Sequence, residues 1–287
     1  MEPFKHIIFP FDFSRQGSQA VPFVRAIASK FGAKVTILGV VPAVWNMVAA
    51  DLPVLIREEE AAKEVDLQSR LDRAFTNEFQ GIRAERIAAV GDPALKIVEY
   101  AHAHRGDLIM MPTHGFGIFR TMLLGSVTAK VLHDAKCPVW TATHAEEQRS
   151  PGELRTILCA VDGDSTEAAA LMQWASQFSR KMGAALKLVH AVPPVSDWLA
   201  IPSERELNEQ IRAEAYAKLE ALRISAGVDA PLTVVAGKIT DAVAEEARTC
   251  GADLTVIGRG SVQSTLGRLR THVYGIVQQS PCPVLSV

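Results

Sequence analysis

Ile8-Phe9-Pro10-Phe11-Asp12, near the start of the chain, has a counterpart 150 positions on in Leu158-Cys159-Ala160-Val161-Asp162. Each is a short apolar run closed by one aspartate, the pattern of a strand buried on both faces that ends at a polar edge. Further landmarks recur in the same order: Phe31-Gly32-Ala33 with Met182-Gly183-Ala184, Gly106-Asp107-Leu108 with Ala252-Asp253-Leu254, and Cys137-Pro138-Val139 with Cys282-Pro283-Val284. The offset falls from 150 at the aspartates to 145 at the Cys-Pro-Val closures, so the second copy is about five residues shorter in its loops. Random apolar patterning yields one such match far more readily than a series in register, and the chain reads as an internal duplication. The polar stretch His144 to Glu153, with Pro151 and Gly152, is the expected linker. It separates a domain over 1–145 from one over 153–287, in keeping with 287 residues at ~150 per domain.

Within the first copy, apolar runs alternate with helical patterns. Ile7 to Phe11, Val35 to Val41, Ile87 to Val90, Leu108 to Met111 and Val139 to Thr141 read as buried strands. Ser14 is the expected N-cap of a helix carrying Ala20, Val24, Ile27, Ala28 and Phe31 on one face, with Gly32 as its C-cap and Pro22 as a complication in its first turns. Asp92 and Pro93 open a helix that presents Leu95, Val98 and Ala101 and that Gly106 is expected to stop; another runs from about Ser126 to His133. Strict alternation of strand and helix predicts, in each copy, a five-stranded parallel sheet flanked by helices.

Composition narrows the function. With 30 Lys+Arg against 32 Asp+Glu, the net charge of -2 supplies no basic field for a nucleic-acid backbone. Cys137, Cys159, Cys250 and Cys282 are far apart, without metal-ligand spacing, and His102 and His104 stand only two apart on an expected helix; no metal site follows. The start of the chain has neither signal- nor transit-peptide character, and Val35 to Ala50 is too short and interrupted to cross a bilayer, so a cytoplasmic location is expected. There is no G-x-S-x-G elbow, H-E-x-x-H helix or G-x-x-x-x-G-K-[ST] loop. Nothing commits the chain to catalysis.

In an open parallel sheet, ligands bind beyond the carboxyl ends of the strands where the strand order reverses. Pro10-Phe11-Asp12, Gly39-Val40-Val41 and Pro112-Thr113-His114-Gly115 all arrive there, and Gly125-Ser126-Val127-Thr128 opens a helix shortly after the third. Unbonded N–H groups and the positive dipole end of a helix suit an anion, and serine and threonine hydroxyls add donors. The same residues also serve as a plain turn and helix cap, and the pattern by itself leaves both readings open.

The two halves resemble the universal stress protein family as a tandem pair. The likeness rests on Phe9-Pro10-Phe11-Asp12-Phe13-Ser14, on Asp107-Leu108-Ile109-Met110-Met111-Pro112-Thr113-His114-Gly115, on Leu123-Leu124-Gly125-Ser126-Val127-Thr128 and on Cys137-Pro138-Val139. It implies two Rossmann-like domains of the adenine nucleotide α-hydrolase type, and ATP, with or without Mg²⁺, as the ligand of the first. Pro10, Phe11 and Asp12 would then meet the ribose or adenine. Val40 and Met111 would flank the base, and Gly115, Gly125, Ser126, Val127 and Thr128 would hold the phosphates. Pro112 departs from the family pattern, which has glycine there, and removes a backbone donor; Gly117 supplies flexibility nearby.

The second copy keeps Asp162 and Gly258-Arg259-Gly260-Ser261 but has Arg270-Thr271 against Gly125-Ser126. A side chain at that glycine crowds a phosphate laid on the backbone, while Arg259, Arg268 and Arg270 gather charge that suits phosphate. Loss or altered specificity is the expectation. Arg57-Glu58-Glu59-Glu60 and the stretch Glu204 to Glu220 read as solvated helix faces, and Trp45 and Trp198 as anchors of long loops. Val139-Trp140-Thr141 and Val284-Leu285-Ser286 are expected at sheet edges, which in this family resemble a dimer seam, so the halves are expected to pair as a pseudo-dimer. The expected function is nucleotide-responsive regulation of stress tolerance, with any ATP hydrolysis slow. The alternatives are an adenine-nucleotide hydrolase or transferase, and a protein-interaction module without nucleotide.

Overall fold

Residues 4–43, 53–113, 124–142, 153–193, 204–259 and 268–287 are described by the computed structural model of the chain. It forms two units, Glu2–Gly152 and Glu153–Val287. In the first, strands β1 (His6–Pro10), β2 (Lys34–Val41), β3 (Ala84–Val90), β4 (Leu108–Pro112) and β5 (Val139–Ala142) alternate with helices α1 (Arg15–Phe31), α2 (Pro53–Arg73), α3 (Pro93–Ala103) and α4 (Ser126–Asp134). The strand order is β3-β2-β1-β4-β5, and every pairing within it is parallel. The chain builds outward from β1 to β3 and then returns to place β4 on the other side of β1. The order therefore reverses between β1 and β4, and their carboxyl ends flank the switch point.

The second unit repeats this plan. Strands β6 (Thr156–Ala160), β7 (Ala185–Val192), β8 (Leu232–Ala236), β9 (Leu254–Ile257) and β10 (Val284–Ser286) take the order β10-β9-β6-β7-β8, all parallel. Helices α5 (Ala168–Met182), α6 (Glu204–Ser225), α7 (Ile239–Thr249) and α8 (Arg268–Gln279) alternate with them. The Rossmann-like expectation holds in both halves.

Burial explains the apolar runs. His6 to Pro10 are all buried, as are Leu108 to Met111, because helices cover both faces of a parallel sheet. Helix α1 is fixed at both ends: the Ser14 hydroxyl accepts from Gly17 N at 3.0 Å, and Gly32 takes a left-handed φ of 65° while the Ala33 amide donates to Ala28 O. Pro22 sits inside this helix on its solvent face, where water can serve the carbonyl its missing N–H leaves unbonded.

Two local expectations change. Helix α3 buries Ala94, Ile97 and Ala101 while Leu95 is 55% exposed, so its apolar face is turned from the one drawn through Leu95 and Val98. Gly106 does not supply the left-handed turn. Arg105 does, at φ 54°, and the Gly106 amide donates to Ala101 O at 2.7 Å. Glycine is needed one position later because a Cβ there would stand 2.7 Å from Ile8 Cγ1. The second unit swaps the two roles: Gly251 is left-handed at φ 62°, and the buried Ala252 follows it, donating to Ala247 O.

Asp107 and Asp253, noticed only as repeat landmarks, have a shared duty. Asp107 accepts the amides of Lys5 and His6 at 2.7 and 3.0 Å, and Asp253 those of Arg155 and Thr156 at 2.8 and 3.0 Å. Each carboxylate ties the start of its unit's first strand to the start of the fourth. Buried beside the first tie is His6, 3% exposed, whose Nε2 meets Thr36 Oγ1 and whose Nδ1 meets His104 O. Burial lowers its pKa below the ordinary imidazole value, against the opposing pull of the His104 carbonyl.

Candidate functional site

At the carboxyl end of β1 the chain leaves the sheet through Phe11, whose amide still donates to Leu38 O at 2.9 Å. Asp12 follows with an exposed side chain, and its Oδ1 accepts the Ser14 amide at 3.0 Å. Phe11 itself is 5% exposed. Its ring lies 5.9 Å from Phe9, 4.6 Å from Phe13 and 4.7 Å from Phe75, so it builds the floor under Asp12 and offers little surface to a ligand.

Two of the residues on that ring have left-handed backbones unusual for a bulky side chain: Phe13 at φ 62° and Phe75 at φ 55°. Such a conformation costs about 1–2 kcal/mol per residue. Each aromatic pair returns about 0.5–1.5 kcal/mol. The Arg70 guanidinium of α2, 4.1 Å from the centre of the Phe13 ring, adds about 0.5–1 kcal/mol at this half-exposed position. The contributions are of the same order, so ring packing can hold the turn. This cluster went unremarked in the sequence, although the alternation Phe9, Phe11, Phe13 signals it.

Beside β1, strand β2 brings Val40 to the same edge, half-buried and paired with Ala89. Gly39 before it admits the Leu67 and Leu71 methyls of α2: a Cβ there would lie 2.9 Å from Leu71 Cδ1 and 3.1 Å from Leu67 Cδ2. On the other side, β4 ends in Met111, 5% exposed and paired with Thr141, and in Pro112.

Helix α4 starts against that strand end. Gly125 is its N-cap, with extended backbone, and its amide donates to Thr113 O at 3.1 Å. Thr128 is buried, and its hydroxyl donates to Pro112 O at 3.2 Å, holding the helix start to β4. The first intrahelical bond runs from Ala129 N to Gly125 O, so the amides of Ser126, Val127 and Thr128 have no acceptor within the helix. The Ser126 side chain is exposed and Val127 half-buried. Gly115, His114 and Gly117 lie outside the described residues, as do Trp45 and Trp198.

Asp92, expected to open α3, does so and also reaches α4. Asp92, after β3, caps α3 through Leu95 N at 3.0 Å and pairs with Lys130 of α4 at 3.1 Å. The Leu95 amide and the Lys130 ammonium hold its carboxyl below the usual carboxylate range. No group of three or more His, Cys, Asp or Glu able to hold a metal ion occurs among the described residues.

The second unit departs from this arrangement at its strand ends. Asp162 is retained and accepts the Asp164 amide at 3.1 Å, but α5 begins at Ala168, whereas α1 begins at Arg15, three residues after Asp12. Val161 and Gly163 stand where the first unit has Phe11 and Phe13. His190 takes the sixth position of β7, which is Gly39 in β2, and its Nδ1 meets Val161 O at 2.8 Å. A carbonyl only accepts, so Nδ1 carries the proton. Lys238 replaces Asp92 as N-cap and makes no side-chain cap bond. Gly260, Ser261 and the side chains of Arg268, Arg270 and Thr271 lie outside the described residues.

With this geometry established, comparison with known proteins is informative. The model of the universal stress protein family matches residues 3–142 and again 153–287. A universal stress protein of Methanocaldococcus jannaschii is 32% identical over 148 residues, covering 47% of this chain and 80% of that protein. One from Thermus aquaticus is 31% identical over 147 residues, covering 47% and 96%. The crystal structure of a universal stress protein from Archaeoglobus fulgidus superposes with a TM-score of 0.67 at 22% identity, covering 98% of this chain and 95% of that one; at that identity the likeness bears on fold.

Proposed function

Because the chain belongs to the universal stress protein family, with one family domain in each half, we propose that its N-terminal unit binds ATP and that the protein acts as a nucleotide-responsive regulator of stress tolerance in the cytoplasm. The observation that carries this reading is that the exposed Asp12 carboxylate and the first-turn amides of α4, which have no acceptor within the helix, follow the carboxyl ends of β1 and β4 on the two sides of the switch point. A carboxylate accepts from ribose hydroxyls or the adenine amine, and helix-start amides with a positive dipole end suit phosphate oxygens. One end of the site thus fits a nucleoside and the other an anion.

In this reading Asp12 meets the nucleoside, with Pro10 and Phe11 shaping the turn beneath it. Val40 and Met111 flank the base, Val40 with the larger exposed part. Gly115, Gly125, Ser126 and Val127 hold the phosphates, and Thr128 fixes the helix that presents them. Mg²⁺, when bound with ATP, neutralises phosphate charge. Any hydrolysis would be slow. The second unit, with His190, Lys238 and Arg270 at altered positions, has lost this ligand or changed it.

Calorimetric titration of the nucleotide-stripped chain with ATP and Mg²⁺ tests the proposal. One ATP per chain, lost on Gly125→Arg, is expected; two would restore the second site, and none would favour a protein-interaction role. Turnover abolished by Ser126→Ala would favour the hydrolase alternative. We further propose that the units pair through β5 and β10, each at one end of its unit's strand order, as an intramolecular pseudo-dimer; separately expressed halves should then associate in sedimentation.

A further inference from the structure

We infer that Phe13, gripped by Arg70, is the positioning residue for Asp12, setting where that carboxylate stands for the nucleoside; the inference rests on the nucleotide reading above. Asp12 lies between two aromatic residues whose places are fixed by ring contacts. Phe11 is buried beneath it, and Phe13 beyond it is held between the Phe11 ring at 4.6 Å and the Arg70 guanidinium at 4.1 Å. With both neighbours fixed, the direction in which Asp12 leaves the backbone is fixed too.

In the first unit a left-handed Phe13 goes with the bond from the Ser14 amide to Asp12 Oδ1 and with Ser14 capping α1 directly after the turn; Asp162 accepts the Asp164 amide without such a residue, and α5 begins only at Ala168. Phe75, two residues beyond the end of α2 and with a left-handed backbone of its own, closes on the Phe11 ring at 4.7 Å. Helix α2 and the turn after it thus clamp the Asp12 turn from outside.

The second unit shows that this geometry is not a demand of the fold. It closes the equivalent turn after Asp162 with Gly163, the residue for which a left-handed φ carries no steric penalty, yet Gly163 has no positive φ. The unit that retains the nucleotide motif uses the strained conformation, with a bulky residue, and the unit that has lost it does not. Strain retained where the fold does not require it, beside a binding group, points to that group.

A thermodynamic cycle on the full-length chain tests the inference, with ATP affinity measured for the unaltered chain, Asp12→Asn, Phe13→Ala and the double variant. Phe13→Ala should weaken ATP about tenfold, the order expected when a charged hydrogen-bonding group is displaced. In the Asp12→Asn background the same change should add no further loss, because its effect runs through the carboxylate. Phe13→Tyr should restore affinity. Arg70→Met, which releases the Phe13 ring while leaving the residues of the Asp12 turn in place, supplies the same cycle should Phe13→Ala fail to fold. Unchanged affinity in Phe13→Ala, or losses that multiply in the double variant, would overturn the inference while ATP binding by the unaltered chain stands. Absence of ATP binding by the unaltered chain would overturn the nucleotide reading itself, and this inference with it.

Discussion

Replacing Asp107 by asparagine should loosen the first unit at the start of β1 and leave the second unit untouched. The carboxylate accepts two backbone amides, Lys5 N at 2.7 Å on Oδ2 and His6 N at 3.0 Å on Oδ1. Asparagine keeps one acceptor oxygen and sets an NH₂ against the other amide, so one charge-assisted bond is lost and a donor faces a donor. Hydrogen bonds to charged groups contribute about 1.5–3 kcal/mol. Asp107 is half-exposed and water can reach the freed amide of Lys5, so the cost belongs at the lower end, about 1.5 kcal/mol. Hydrogen exchange read by mass spectrometry resolves the two units, and opening of β1 amides should become about tenfold faster at that cost. Asp253 takes both Arg155 N and Thr156 N on the single oxygen Oδ2, an acceptor that asparagine can keep, so Asp253→Asn should loosen β6 less than Asp107→Asn loosens β1. Unchanged protection of β1, or equal loosening of both units by either substitution, would refute the view that each aspartate staples only its own first strand.

Other perturbations follow from the packing and the titrating groups. Leu71→Ala removes a fully buried side chain that lies over Gly39, and should cost about 2–5 kcal/mol in denaturant unfolding of the first unit. Native His6 resists protonation because burial lowers its pKa, whereas the unfolded chain takes up the proton below about 6.5. Its contribution to stability is therefore complete above that pH and is lost as pH falls toward the native value. His6→Gln should flatten the fall in urea midpoint between pH 7.5 and 5.5, and an unaltered slope would count against this. Burial pushes the Cys159 thiol up to about 12, while Cys137 is half-exposed. Alkylation at pH 8 should label Cys137 well before Cys159, as read by peptide mass spectrometry.

The strands were legible because burial on both faces leaves nothing but apolar residues between Ile7 and Phe9 or between Leu108 and Met111, and no solvent face interrupts the run. Caps were legible where a side chain acts on its own neighbours, as Ser14 does on Gly17 and Asp92 on Leu95. Gly106 and the face of α3 were misread because their roles depend on what packs across from them, Ile8 in the first case and the sheet in the second. Arg70 and Phe75 are far along the sequence from Phe11 and Phe13, and nothing local shows that Arg70 reaches the Phe13 ring or Phe75 the Phe11 ring.

By itself, then, the sequence determined the duplication, the alternation of strand and helix, the family and the candidate loops, all carried by short-range pattern or by repetition in register. Only the tertiary structure decided which of these residues present a polar group and which are consumed in holding others: Thr128 bonds Pro112 O, Phe11 becomes a floor, and Asp12 remains exposed. The physical reason is that availability to a ligand depends on partners contributed by other strands and helices, and those partners meet only when the β1–β4 switch point and helix α2 are assembled around the same turn.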